Sequence, residues 1–447
     1  MKYFIFTIAL LGVPPLTFLL YLNQKWIKYA FWLMIMAMTV YISTSINFFS
    51  HEAYRGSARG MEVSFIHLLS AAVLGALILR GKVRGIFPEW GFRLYFIYFL
   101  LCLPSLSSAA DTLIAWFEVW KMMMMFIFYL AVYYYLAATD DVKSVLGGLA
   151  AFTIINMLMV VKEHYAGYYQ PHGVFPHQNS MAVAMHMFGA MFFACYMVNG
   201  MKSHFGKLCT VAFICAAAAT LRSYSRVAIV LMGVSYGLTS ITCMDLRNLV
   251  VRFKRILPLA AVGMVCVGAM LPRVIERFKH APEASGRTRI ELAASAWEMI
   301  KDEPWRGVGI NNWGIKINQP YDYALRAGRI PDRGEDFRDG IVETVYLLVG
   351  AECGIPALLA MVAWFFWYWF SCLRLMFKLR GTRWFFIPAG LFGGFTAAYM
   401  QSAFEWVLRQ QMNLICLMFL FAILSYLNKN WRHLKAIESK AEGASML

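Results

Sequence analysis

Charge is scarce in this chain, and the little there is leans one way. Only 15% of the 447 residues are charged, 41 of them basic and 25 acidic. A water-soluble domain is nearer 25% charged and about 45–50% apolar; this chain is 60% hydrophobic. That deficit excludes an ordinary soluble globular protein. Cysteine is present but unpatterned. Cys102, Cys195, Cys209, Cys215, Cys243, Cys266, Cys353, Cys372 and Cys416 lie in or at the ends of apolar stretches, with no CxxC and no Cys/His cluster. A structural zinc and a disulfide framework are therefore unsupported, and the thiols read as small buried hydrophobes. Internal repeats and low-complexity segments are missing too. The first apolar stretch, 3–22, is broken by Pro14-Pro15 and lacks a small-residue cleavage pattern after it, so it does not read as a cleaved signal.

What abounds is apolar sequence of membrane-crossing length. A run of about 17–25 such residues covers a hydrocarbon core of about 30 Å. The pattern predicts twelve spans, near 27–48, 62–80, 91–108, 115–138, 143–162, 179–200, 206–222, 225–243, 255–272, 342–371, 383–403 and 411–428. Segment 3–22 is either a kinked further span or a re-entrant hairpin. The expected fold is an all-α polytopic membrane protein of about 12 transmembrane helices with one large helical loop outside the membrane. Its expected divisions are an N-terminal bundle (1–272), the loop (273–341), C-terminal helices (342–428) and a fraying polar tail (429–447).

A net charge of +16 invites a nucleic-acid reading, but its distribution argues against one. The basic residues gather in short connections: Arg80, Lys82, Arg84 and Arg93; Arg247, Arg252, Lys254 and Arg255; Arg374, Lys378, Arg380 and Arg383; Lys429, Arg432 and Lys435. Positive short loops mark the cytoplasmic side, and alternating spans put all four clusters there. The loop 273–341 is then extracytoplasmic, as are 163–178, 222–226 and 404–410.

Ionisable residues at a membrane boundary are costly and tend to be functional or paired. Four outer segments carry them. Leu221–Arg226 sets Arg222 and Arg226 four apart, a spacing that lets one helix face present both guanidiniums to a diphosphate; snorkelling to headgroups is the bland alternative. Gly173–Asn179 opens a span with His177 as a candidate site residue and Asn179 as a candidate helix cap. Ser285–Arg289 opens an amphipathic helix, with Ser285 as the expected cap. Arg287 and Arg289 then sit at the end where the helix dipole disfavours cations. An anionic ligand would compensate, as would pairing with Glu291 or Glu283. Finally, Glu343 stands where the post-loop helix enters the membrane. A carboxylate at a dry boundary can have a raised pKa and serve as a general base; a helix N-terminal Glu favoured by the dipole is the alternative. Glu405 and Arg409 are weaker candidates that can simply hold a loop by ion pairing. Glu118 and Lys121 are polar residues inside a span.

In chain order, these pieces resemble the O-antigen ligase and polymerase superfamily of bacterial inner-membrane glycosyltransferases. The matching pieces are Gly173–Asn179, Ser225-Arg226, Ser285-Gly286-Arg287, Glu303-Pro304-Trp305-Arg306-Gly307-Val308-Gly309 and Gly350-Ala351-Glu352-Cys353-Gly354-Ile355. The resemblance implies transfer of a glycan from undecaprenyl diphosphate at the periplasmic face. The acceptor is a lipid A–core sugar in a ligase or a second lipid-linked repeat unit in a polymerase. It also implies that arginines neutralise the leaving diphosphate with no metal or other cofactor, and that a base near the start of the post-loop helix activates the acceptor. Arg226, Arg287, Arg222 and Arg289 match the diphosphate-binding role, Glu343 the catalytic one, and His177, Asn179 and Arg409 supporting ones. Ligases of this family usually have a His-Asn pair where this chain has Glu343-Thr344. A transporter is the reading from another class, but it would line a path at mid-membrane with polar groups, and here they gather at one face.

Overall fold

The computed structural model describes residues 2–244, 250–257, 268, 283–328 and 340–445. The chain is an all-α polytopic membrane protein. Its helices are α1 (Lys2–Leu22), α2 (Gln24–Ala37, prolonged by short turns to Thr44), α3 (Phe65–Leu79), α4 (Trp90–Cys102, prolonged by a 3-10 turn to Ser108), α5 (Thr112–Thr139), α6 (Val142–Tyr165), α7 (Gln178–Asn199), α8 (His204–Arg222), α9 (Arg226–Cys243), α10 (Glu283–Asp302), the short α11 (Trp313–Lys316) and α12 (Tyr323–Arg326), α13 (Val345–Lys378), α14 (Phe386–Gln401) and α15 (Gln411–Ser445). Among the described residues ten helices are long and apolar enough to cross a bilayer. The spans expected at 62–80 and 383–403 are the shorter α3 and α14. Most of the span expected at 255–272, with Cys266, lies outside the described residues, as does Arg247.

The structure decides one alternative, adds one element and changes one expectation. Segment 3–22 is one continuous helix through Pro14 and Pro15, not a hairpin; membrane helices tolerate proline where freed carbonyls find other donors. Residues 49–60 are bracketed by an antiparallel ribbon, β1 (Ile46–Phe48) with β2 (Met61–Val63), Asn47 facing Glu62. The polar tail does not fray at 429, because α15 continues to Ser445 and its residues find partners. Glu438 accepts a hydrogen bond from Arg383 N at 2.6 Å, and Lys378 sits 5.0 Å over the Trp431 ring.

The chain divides into two compact units. The first comprises 1–142, 286–368 and 402–425. Its core is aromatic: Phe31 lies face to face with Tyr135 at 3.7 Å between ring centroids, Phe92 with Tyr129 at 3.7 Å and Tyr368 with Phe421 at 3.8 Å. Such pairs add about 0.5–1.5 kcal/mol each beyond area burial. The second comprises 143–285, 369–401 and 426–447. Its centre is α7, buried on every side from Ser180 to Met197. Lipid tails give helices no hydrophobic reason to associate, so close backbone packing must hold them. Here α14 supplies it through glycines. A Cβ on Gly390 would meet Met191 Cα of α7 at 2.4 Å, and one on Gly393 would meet Ser235 O of α9 at 2.5 Å.

Candidate active site

In the first unit, the site is built on a break in α13. Pro356 has no N–H for the carbonyl of Glu352, and its ring crowds that carbonyl. Gly354 takes φ 81°, ψ 170°, which turns the chain out of the helix. The freed groups are taken up by the segment after α10. Val308 N donates to Ala351 O at 2.8 Å, Gly309 N to Glu352 O at 3.1 Å, and Ile355 N to Pro304 O at 2.8 Å. The two backbones lie so close that a Cβ on Gly354 would meet Trp305 O at 2.5 Å, and one on Gly307 would meet Glu352 C at 2.3 Å. The Glu303–Gly309 and Gly350–Ile355 pieces are thus the two halves of one elbow.

The elbow roots the extramembrane helix α10 against the start of α13. Leu292, Ala296, Met299 and Ile300 of α10 form a buried cluster with Trp313, Val342, Leu348 and Ala351. Trp313 Nε1 donates to Gly340 O, and Val345 N, the first residue of α13, donates to Ser402 O at 3.0 Å. Glu343 is carried on this frame, two residues before the helix. Its side chain is 36% exposed and contacts Arg289 of α10 through Oε2 and Nε; Arg289 Nη2 lies 3.9 Å from Glu405 Oε1. Burial pushes the Glu343 carboxyl above the usual carboxylate range, and the Arg289 guanidinium pulls it partly back. A half-buried carboxylate with an elevated pKa, facing an arginine and open to one side, is equipped to take a proton from a hydroxyl.

Arg287 pairs with Glu291 at 2.9 Å and is 81% exposed, the alternative foreseen for it. Because α10 is already helical at Glu283, Ser285 lies within the helix rather than at its cap, and both arginines fall in the second turn. Arg409 pairs with carboxylates other than Glu405. It is 4% exposed, with Nη1 2.7 Å from Glu352 Oε2 and Nη2 3.1 Å from Glu118 Oε1. Lys121 Nζ completes the group 2.7 Å from Glu118 Oε2 and donates to Arg409 O at 2.8 Å. Two acids and two bases cancel inside the unit. Ser57 donates to Glu118 at 2.7 Å, and Glu352 Oε1 accepts from Trp313 N at 3.2 Å. Sequence reasoning missed this network. The available signals were the i,i+3 pair Glu118/Lys121 inside a span and the lone carboxylate of Glu352 in apolar surroundings.

In the second unit, Arg222 ends α8 and Arg226 opens α9, with Tyr224 at φ 50° between them. The helix breaks there, so one helix face does not present both. Arg222 lies against the His164 ring and 5.5 Å over that of Tyr224. Arg226 is half-buried at the first position of α9, where the dipole opposes a cation. The cap of α7 is His177 and not Asn179. His177 is extended at φ −155°, ψ 150°, as a cap must be, and its Nδ1 accepts from Asn179 N at 3.2 Å. Burial and neighbouring His172 hold its pKa below that of an ordinary histidine. The preceding loop is fixed by Glu163, which accepts from His172 N and Gly173 N at 2.8 Å each.

The fold is that of a multi-pass membrane protein, with a glutamate and an arginine in contact where α10 meets the start of α13. Residues 211–362, which hold α9, α10, the elbow and Glu343, match the family model described as O-antigen ligase. That match makes this part of the chain similar to O-antigen ligases and supports a relation to the ligase/polymerase superfamily. No curated protein matches the chain.

Proposed function

We propose that the protein transfers a glycan from undecaprenyl diphosphate to an acceptor hydroxyl at the periplasmic face of the bacterial inner membrane, as an O-antigen ligase does with a lipid A–core acceptor. The observation that carries the proposal is Glu343, a carboxylate with a raised pKa on the frame of the elbow, faced by Arg289. Glu343 is the base. It accepts the acceptor's proton while that oxygen attacks the anomeric carbon, and the diphosphate departs with the bonding electrons. Direct attack inverts the carbon. The leaving group is already a diphosphate, so cationic side chains suffice to stabilise it. Arg287 and Arg289 in the first unit and Arg222 and Arg226 in the second are the residues proposed for that role, with His177, Asn179 and Arg409 supporting the loops that carry them. A repeat-unit polymerase is the second reading, favoured by Glu343-Thr344 standing where ligases usually have His-Asn.

Glu343→Gln keeps the shape and removes the charge. Transfer should fall about a hundredfold to ten-thousandfold with protein level and donor binding retained. Normal turnover at saturating donor would refute the base assignment. Glycan appearing on lipid A–core supports the ligase reading, and lengthening of the lipid-linked chain supports the polymerase.

A further inference from the structure

Arg289 faces two carboxylates, and only one of them belongs to the proposed reaction. Its Nε meets Glu343, while Nη2 is 3.9 Å from Glu405 Oε1, at the outer limit of an ion pair. The two acids differ in setting. Glu343 has a side chain 36% exposed; that of Glu405 is 10% exposed. Glu405 is also fixed in place. Its turn is tied to α13 by the bond from Val345 N to Ser402 O. It is closed by Arg409 N donating to Trp406 O at 3.0 Å and anchored below by the buried Arg409 ion pairs.

We propose that Glu405 is a positioning residue, the second counter-ion of Arg289, taking up the guanidinium when Glu343 is protonated. The inference rests on the reading of Glu343 as the base. In that step the acceptor O–H bond breaks and its proton passes to Glu343, the oxygen bonds the anomeric carbon, and the diphosphate leaves. Neutral Glu343 no longer balances Arg289. Arg289 is 42% exposed, so losing one carboxylate costs it modestly, but that loss falls on the step that makes the base neutral, and Glu405 is the carboxylate still within reach. A guanidinium has five donors on a planar fork, enough to serve both acids, so a small rotation moves its charge from one to the other. The charged groups facing Glu343 are Arg289 from α10 and, beyond it, Glu405 from the 402–409 turn; Tyr346 follows on its own helix. Arg287 is engaged by Glu291.

The arrangement makes opposite demands on two variants of the full-length protein in nanodiscs. The Glu343 carboxyl is followed by infrared titration, its band identified by its loss in Glu343→Gln. Transfer is assayed against pH with the undecaprenyl-diphosphate-linked glycan pool extracted from the source cells. Glu405→Gln removes the competing anion, so Arg289 binds Glu343 alone. The titration midpoint and the acid limb should move down, and the plateau rate should fall severalfold as the base weakens. Arg289→Gln should move the midpoint up. A merely structural role for Glu405 would lower yield but leave the midpoint unmoved, and that result would overturn the proposal. If both midpoints shift as stated while Glu343→Gln transfers normally, the counter-ion geometry stands and the transferase reading of Glu343 falls.

Discussion

Arg409 touches two buried glutamates, and Lys121 backs only one of them. Glu118 has the lysine as a second cation; among the described contacts of Glu352, the arginine is its single charged partner. Breaking a buried pair from one side typically costs about 3–5 kcal/mol, whereas replacing both partners can be nearly neutral. Arg409→Met should therefore destabilise the detergent-solubilised protein by roughly that amount, and Arg409→Met with Glu352→Gln should recover part of the loss. Thermal unfolding of the two single variants and the double checks this, since strictly additive losses would mean that the two side chains do not act as a pair. Residue-scale legibility was uneven for a physical reason. Glu343, Arg287 and Arg289 stood out because each is a charge at a boundary, visible from local sequence. Arg409 meets Glu118 and Glu352 across long separations in the chain, and composition cannot say which charges meet. The same limit explains His177. A histidine acting as its own helix cap is invisible beside Asn179, a residue with a stronger general preference for that position.

At the scale of elements, the apolar runs were long enough for nearly every helix to be read directly, and errors concentrated where tertiary partners decide. The helical tail of α15 exists because Glu438 and Trp431 find partners in their own unit. The elbow of α13 shows the reverse, a motif legible as letters but not as geometry. Its glycines have a single explanation in the exchange of backbone hydrogen bonds with 304–309. Gly354 sits in a region of backbone space that is essentially glycine's own, with a cost of about 1–3 kcal/mol for other residues, and a Cβ there would strike Trp305 O at 2.5 Å. Gly354→Ala should destabilise by more than that strain alone and should also lower transfer, because α10 would lose its seat against α13. Gly328 shares the positive φ, at 77°, but a Cβ there meets nothing within 4 Å. Gly328→Ala is therefore the control, expected to show strain without loss of transfer. Equal effects of the two substitutions on activity would separate the elbow from the site.

At the scale of the whole molecule, the proposed role of Glu343 depends on which side of the membrane it faces. Basic residues at helix ends and in short connections, Arg80 to Arg84, Arg252 to Arg255, Arg374 to Arg383 and Lys429 to Lys435, mark one side. The segment that carries α10 to α12, and Glu343 after it, is on the other side if the spans alternate. Cysteine labelling tests this directly. Among the described cysteines only Cys215 is not buried, so a background with Cys215 and Cys266 replaced by Ser leaves little native thiol to react. In that background Asn318→Cys should be modified by a membrane-impermeant maleimide in intact spheroplasts, and Val250→Cys only after permeabilisation. The reverse pattern would place Glu343 in the cytoplasm, where a glycan already displayed on the outer leaflet could not reach it. The base, the arginines and the counter-ion would then need a different substrate, however well the pH shifts at Glu343 matched their expected directions.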